Sequence, residues 1–512
     1  MGRFPNRTVF LNVLFAVMGT TLRFGFNITL INPMGMILNE ILTKTARTHY
    51  HWDLEDPDQA KWRPYVFGAT GGALALGSII GSLTYGYWVN RVGRRQMLLL
   101  VQIMFMVFSV MAILTHYDAF ELFFFSQLFS GVFLAYGIAT TTTFIAEVSD
   151  PSHASFLNSL VVVSIEVGTA TCNLLGINVI FGNEDLWPLL IFAPFALNFV
   201  CFFGVLLYGK ETPHSLLQQG DRDAAVYSIQ YYADCSIEEA EEKVKAIEVM
   251  NQSNLKLLSV RQVLRNPKTR KPLLLTACLG AAQVLSGVIA MGMFGTSIFV
   301  ERAHLTRTTA GILNFGLTTS FLMGVFIALF FLTKISHRIL LLVCLPVLAL
   351  CNATYAGCII YAHSNPDTLI PAYGIAVALF IFGLFFSNSL EKIGFFCGAL
   401  ITPREALPAT ASTSVLVLNT TAFIIPPIFA PLLDNFHGYA FIPFVVTNIG
   451  FWVIFLLFYP KKTLMEQMSA EALEDVQGGD SKVAPVAVGL SNETAGETNN
   501  LSSTSKPSNE KL

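Results

Sequence analysis

Gly86-Tyr87-Trp88-Val89-Asn90-Arg91-Val92-Gly93-Arg94-Arg95 closes one apolar run, which begins near residue 65, and opens another near residue 97. Arg91, Arg94 and Arg95 thus sit between two stretches long enough to cross a bilayer, the position where cytoplasmic basic charge collects. Outward from this point, similar runs recur along the chain at 9–33, 65–89, 97–115, 122–146, 156–181, 187–208, 272–299, 309–332, 339–361, 369–396, 409–433 and 439–459. Each is long enough for a membrane helix, which needs about 20 mostly apolar residues. The runs are continuous rather than alternating, which excludes a β-barrel. The first run is too long for a signal peptide, carries Arg23 and Asn27, and ends in no small-residue cleavage site.

Composition agrees. Of 512 residues, 53% are apolar and 13% charged, where a soluble chain carries about 25% charge, and mean hydropathy is +0.58. A soluble enzyme of this size could not cover its surface with so few charges, and a long disordered chain would not be so apolar. A net charge of -3 without a large basic stretch argues against nucleic-acid binding. With both termini inside, 23 of the 31 Lys and Arg fall on the cytoplasmic side. The eight cysteines lie in spans or, for Cys235, in the central loop, so they read as packing residues rather than a disulfide framework.

The chain divides into an N-terminal six-helix membrane bundle (1–208), a charged cytoplasmic helical loop (209–271), a C-terminal six-helix bundle (272–460) and a Ser/Asn/Thr-rich tail (461–512) that reads as disordered. The six-plus-six layout suggests a duplicated unit, and Lys334-Ile335-Ser336-His337-Arg338 is a faint second copy of the 86–95 stretch. Glycines at 68, 71, 72, 77, 81 and 86 in the second span allow close helix packing. The threonines at 140–143 read as hydroxyls bonded to their own helix.

Residues 86–95 resemble the loop signature of the major facilitator superfamily. Further stretches resemble its facilitative glucose transporter branch among the sugar porters: Phe24-Gly25-Phe26-Asn27 with Ile31-Asn32-Pro33, Ile145-Ala146-Glu147-Val148-Ser149, Gly182-Asn183-Glu184-Asp185-Leu186-Trp187-Pro188-Leu189-Leu190, Glu211-Thr212-Pro213-His214, and Gln283 with Ser286-Gly287. The resemblance covers about residues 9–460 and is stronger in the first half. It implies an all-α membrane protein of twelve helices, two six-helix bundles rocking about a midplane site.

The chain departs from the family where sugar hydroxyls are held. The fifth-span glutamine aligns with Val162, the second glutamine and the asparagine of the seventh span with Val284 and Ile289, and the eighth-span asparagine with Thr318. The tenth-span Gly/Pro stretch becomes Ser389-Leu390-Glu391-Lys392-Ile393-Gly394-Phe395, and a fourth-span arginine becomes Gln127. Each lost amide partner costs about 1 kcal/mol. The resemblance therefore carries the transport architecture further than it carries glucose specificity.

These readings set the site expectations. Gln283, Asn27 and Thr318 are the substrate-binding candidates. Gly93, Arg94, Arg95, Glu147 and Glu211 are expected to control the conformational switch. Arg23, Glu166, Glu391 and Lys392 are charges inside spans, costly at about 2.5–3.5 kcal/mol each, so they should face a watery cavity or one another. A pairing of Arg23 with Glu166 and of Glu391 with Lys392 would leave nothing to titrate near neutrality. Asn27, standing where coupled sugar porters carry an aspartate, then favours uniport. His49 and His51 have no third ligand at metal spacing, and no cofactor motif or catalytic constellation is present.

The leading expectation is facilitated diffusion of a hexose or related sugar by a plasma-membrane protein in contact with lipid. The alternatives are a proton-coupled or charged-organic-solute transporter and a non-transporting sensor or scaffold.

Overall fold

The computed structural model describes residues 5–54, 56–252, 258–330, 335–365, 368, 370–391, 393–394 and 401–460. Lys392 and the tail from 461 lie outside them. Among the described residues, eleven helical stretches are long and apolar enough to cross a membrane. The last, Leu407–Phe458, is two helices joined by a short 3-10 turn, which makes twelve spans. In chain order the helices are α1 (Arg7–Thr29), α2 (Ile31–Tyr50), α3 (Arg63–Val92), α4 (Arg94–Ile113), α5 (Phe120–Val148), α6 (Pro151–Leu175) and α7 (Trp187–Tyr208). The short helices α8 (Pro213–Gln218), α9 (Arg222–Ala233), α10 (Ile237–Gln252) and α11 (Val260–Arg265) follow. The second set is α12 (Pro267–Gln283), α13 (Ile289–Ser297), α14 (Arg307–Phe330), α15 (His337–Ser364), α16 (Ile370–Phe386), α17 (Leu407–Phe436) and α18 (Ile442–Phe458).

Helices α1, α3, α4, α5, α6 and α7 pack on one another, as do α12 to α18, and the two groups meet through α3 with α17, α6 with α14, and α2 with α13. Apolar side chains such as Leu83, Val107, Phe199 and Val377 face outward, the arrangement a lipid solvent permits. Trp62 and Tyr65 at one end of α3 and Tyr87 and Trp88 at the other are exposed aromatics of the kind that sit at membrane interfaces.

Three sequence expectations change. The stretch between the first two apolar runs, 34–64, is not a plain loop but is helical to Tyr50. Its apolar residues recur at helical spacing (Met34, Ile37, Leu38, Ile41, Leu42) and are all buried, and the Thr45 hydroxyl donates to the Asp118 carbonyl at 2.8 Å. Gly86 does not share the close packing expected of the second-span glycines, because nothing lies within 4 Å of a Cβ added there, and α3 runs through it to Val92. The turn is at Gly93 alone, with φ +89°. The seventh span is not one straight helix: a π-helical turn at 284–288 separates α12 from α13, with Gly287 at φ +100°.

On one end of the molecule, called here the loop face, α8–α10 dock beneath the first bundle. The Ser228 hydroxyl donates to the Glu211 carbonyl at 2.6 Å, and the Tyr232 hydroxyl donates to the Lys210 carbonyl at 2.8 Å. The Tyr232 ring packs on Phe144 at 6.0 Å.

Candidate functional site

A cavity of about 200 Å³ lies between the bundles. The first bundle lines it with Phe24, Ile28 and Thr29 of α1, Gly71 and Leu74 of α3, and Ile165, Glu166 and Thr169 of α6. The second contributes Gln283 of α12, Val288 from the π-helical turn, Met293 of α13, Leu317, Thr318 and Phe321 of α14, Phe386 and Glu391 at the end of α16, and Leu418 and Ala422 of α17. A mostly apolar wall with a few converging polar groups is the usual form of a small-solute site.

Two of the three substrate-binding candidates are on this wall. Gln283 donates through Nε2 to the Leu390 carbonyl at 2.8 Å, which ties α12 to the end of α16. Thr318 donates to the carbonyls of Phe315 and Asn314 at 3.1 and 3.3 Å. Asn27 is buried but does not line the cavity. The physical reason is helical azimuth. Phe24 and Ile28, one turn apart, take the cavity side, so Arg23 and Asn27, also one turn apart, take the neighbouring side.

Arg23 follows the same geometry. Its guanidinium donates to the Ser109 hydroxyl of α4 at 2.7 Å and lies 6.0 Å from the Phe105 ring centroid. The expected pairing with Glu166 is not formed. Glu166, on the cavity side of α6, accepts from the Thr169 hydroxyl at 3.3 Å, and its carboxyl meets that of Glu391 across the cavity within hydrogen-bonding reach. The Glu391 pairing with Lys392 falls outside the described residues.

The five switch candidates converge at the loop face of the first bundle. Arg94 is buried. Its Nε and Nη2 reach Glu147 Oε1 at 3.1 and 3.0 Å, and its Nη1 donates to Gln218 Oε1 at 3.1 Å. Glu211 accepts from the backbone N–H of Arg94 at 2.7 Å and of Arg95 at 3.1 Å, so its carboxylate sits on the N-terminus of α4, where a helix favours negative charge. The Arg95 guanidinium donates to the Leu206 carbonyl at 2.9 Å. Gly93 has a positive φ, and an added Cβ would lie 2.7 Å from Glu211 Oε2, so both conformation and space require glycine there. Thr212 and Gln218 complete this cluster as partners of Glu147 and Arg94. Their positions within and just beyond the Glu211-Thr212-Pro213-His214 stretch were the available signal.

At the opposite face the bundles are tied together. Asn32 accepts from the Thr296 N–H at 2.8 Å through Oδ1, and its amide reaches Asn173 at 3.4 Å. Glu184 pairs with Arg307 at 3.3 Å. The 182–190 string, which no periodicity explains, thereby gains a structural reason. The Asn183 side chain accepts from the Leu186 N–H at 2.8 Å and donates to the Asn178 carbonyl at 3.0 Å, shaping the turn that presents Glu184 to the other bundle.

Comparison with known proteins matches this arrangement. The family model described as "Sugar (and other) transporter" matches residues 12–471. The chain is similar to solute carrier family 2, facilitated glucose transporter member 1, of Gallus gallus, at 26% identity over 484 residues, 91% of this chain and 93% of that protein. It is also similar to member 3 of Mus musculus, at 25% identity and 88% and 90% coverage. In fold it is similar to the inward-open structure of the xylose transporter XylE from E. coli, with a TM-score of 0.71 at 15% identity over 91% of this chain and 99% of that one. With its twelve spans among the described residues in two packed groups, a cavity between them and a family model matched over nearly its whole length, the chain belongs to the sugar transporter family and has the fold of the major facilitator superfamily.

Proposed function

We propose that this protein moves a hexose or a related sugar across the membrane by facilitated diffusion, through alternating access. One observation carries the reading: the cavity is walled by both bundles, so a rocking motion of one against the other opens it to either side in turn. The contacts of Asn32 with Thr296 and of Glu184 with Arg307, which tie the bundles together, lie on the face opposite the loop helices, which suits an inward-facing arrangement. The loop face is taken as cytoplasmic, with both termini on that side and the plasma membrane as the site of residence. The first bundle, the helical loop, the second bundle and the tail are taken as separate structural units. The activity is transport without a catalytic step, and membrane lipid is the surrounding partner.

The test is uptake by the purified full-length chain in proteoliposomes, with a panel of labelled hexoses and organic ions. Saturable entry of a hexose down its gradient is expected. Entry of organic ions with no sugar entry would replace the sugar reading. Gln283→Ala is expected to raise the apparent KM about threefold to tenfold at unchanged surface expression, because it removes both a wall amide and the tie to Leu390. Unchanged kinetics would remove Gln283 from the site.

A further inference from the structure

The Glu166 and Glu391 carboxyls come from opposite bundles and meet on the wall of one cavity. Two carboxylates cannot both stand bare at hydrogen-bonding separation, so a proton or another cation must stand with them. The rest of the wall shows which kind of group is wanted. Its hydroxyls and amide nitrogens already donate to protein oxygens, as with Thr29 to the Gly25 carbonyl at 2.6 Å, Thr169 to the Glu166 carbonyl at 2.8 Å and Gln283 to the Leu390 carbonyl at 2.8 Å. What remains open is an acceptor: Oε2 of Glu391 is buried and has no hydrogen-bond partner among the described residues. Arg23 on the adjacent α1 is directed at Ser109 and Phe105 rather than at the pair. Among the described residues on the neighbouring elements, Cys172 on α6 and Cys344 on α15 beside Ser389 are thiols and supply no positive charge, and Lys392 lies outside the described residues.

We infer that the cavity selects a solute bearing a protonated amine, held between Glu166 and Glu391. On the sugar-transport reading, on which this rests, the preferred class is an amino sugar. An ammonium offers three donors and a positive charge, which is what the two carboxylates lack among the described residues of a largely apolar cavity. Because the carboxyls belong to different bundles, an ammonium between them also favours the arrangement in which the bundles approach, so binding and closure are linked.

The experiment compares proteoliposome uptake of D-glucosamine, D-glucose, N-acetyl-D-glucosamine and choline by the full-length protein, at a pH where the glucosamine amine is protonated. The expected result is an apparent affinity for glucosamine about tenfold or more tighter than for glucose or the N-acetyl sugar. Glu166→Gln and Glu391→Gln are each expected to bring that ratio to within about twofold. The N-acetyl comparison tests the charge on the unaltered protein, so the inference stays open to refutation even where a variant inserts poorly. Glucose entry with no preference for glucosamine, or a preference that survives both substitutions, would overturn the inference and leave the sugar reading standing. Choline entry sensitive to both substitutions, with no sugar entering, would support the carboxylate site and overturn the sugar reading.

Discussion

Gly77→Val is expected to cost the fold at least about 2 kcal/mol, and to show as a lower melting temperature and loss of the monodisperse peak on detergent size-exclusion chromatography. Helices α3 and α5 approach so closely at this point that an added Cβ on Gly77 would lie 1.9 Å from the Leu128 carbonyl oxygen and 3.0 Å from the Gly131 Cα. The reverse contact is equally tight, since a Cβ on Gly131 would lie 2.0 Å from the Leu74 carbonyl oxygen. Both obstacles are backbone atoms of packed helices, so the clash cannot be relieved by turning a side chain. Without a hydrophobic drive between helices in lipid, this close packing carries much of the association. Gly86→Val is the control: nothing lies within 4 Å of its added Cβ, and only a small helix-propensity effect is expected. Equal melting temperatures for the two variants would show that the α3–α5 contact does not support the bundle.

Arg94→Glu is expected to lower turnover about tenfold or more while equilibrium solute binding stays within about threefold. Arg94 and Glu147 form a buried pair, with side chains 8% and 10% exposed. Removing one partner of such a pair costs about 3–5 kcal/mol, because the other is left uncompensated. Reversal is worse still, since it sets a new carboxylate against Glu147, beside Glu211 on the same turn. The cluster joins the ends of α3, α4 and α5 to α8, and the bundle must move as a body during the switch. The cavity lies elsewhere and has none of these residues on its wall, so binding is spared. A large loss of binding with turnover of bound solute intact would contradict the assignment. The double variant Arg94→Glu with Glu147→Arg should recover part of the turnover, which a merely disruptive change would not allow.

Much of the loop-face cluster was legible because its residues lie close to helix ends. Gly93, Arg94, Arg95, Glu147 and Glu211 stand at the boundaries of apolar runs, and helix ends on one side of a membrane are brought together by the layout itself. The cavity was less legible. Gln283 and Thr318 were found through likeness to a family motif, and Glu166 and Glu391 through the cost of a charge in lipid. Neither signal says where a side chain points. Arg23 and Glu166 were expected to pair because each needed a partner and both lay in cavity-bordering spans. Helical azimuth separates them, turning Arg23 toward Ser109 and Glu166 toward Glu391.

The twelve spans, the basic turn at 91–95 and the glycine-lined second span were determined by the sequence alone. Transfer of each segment into lipid is a sum over its own residues, and charge at its ends is read locally, so neither needs knowledge of a neighbour. The conversion of 31–50 into a buried helix, the seclusion of Asn27 and the meeting of two carboxyls 225 positions apart were decided only by tertiary structure. Each depends on the rotation of a helix about its own axis. In lipid that rotation is set by steric fit and hydrogen bonds with the adjoining helices, and a span's composition is almost indifferent to it.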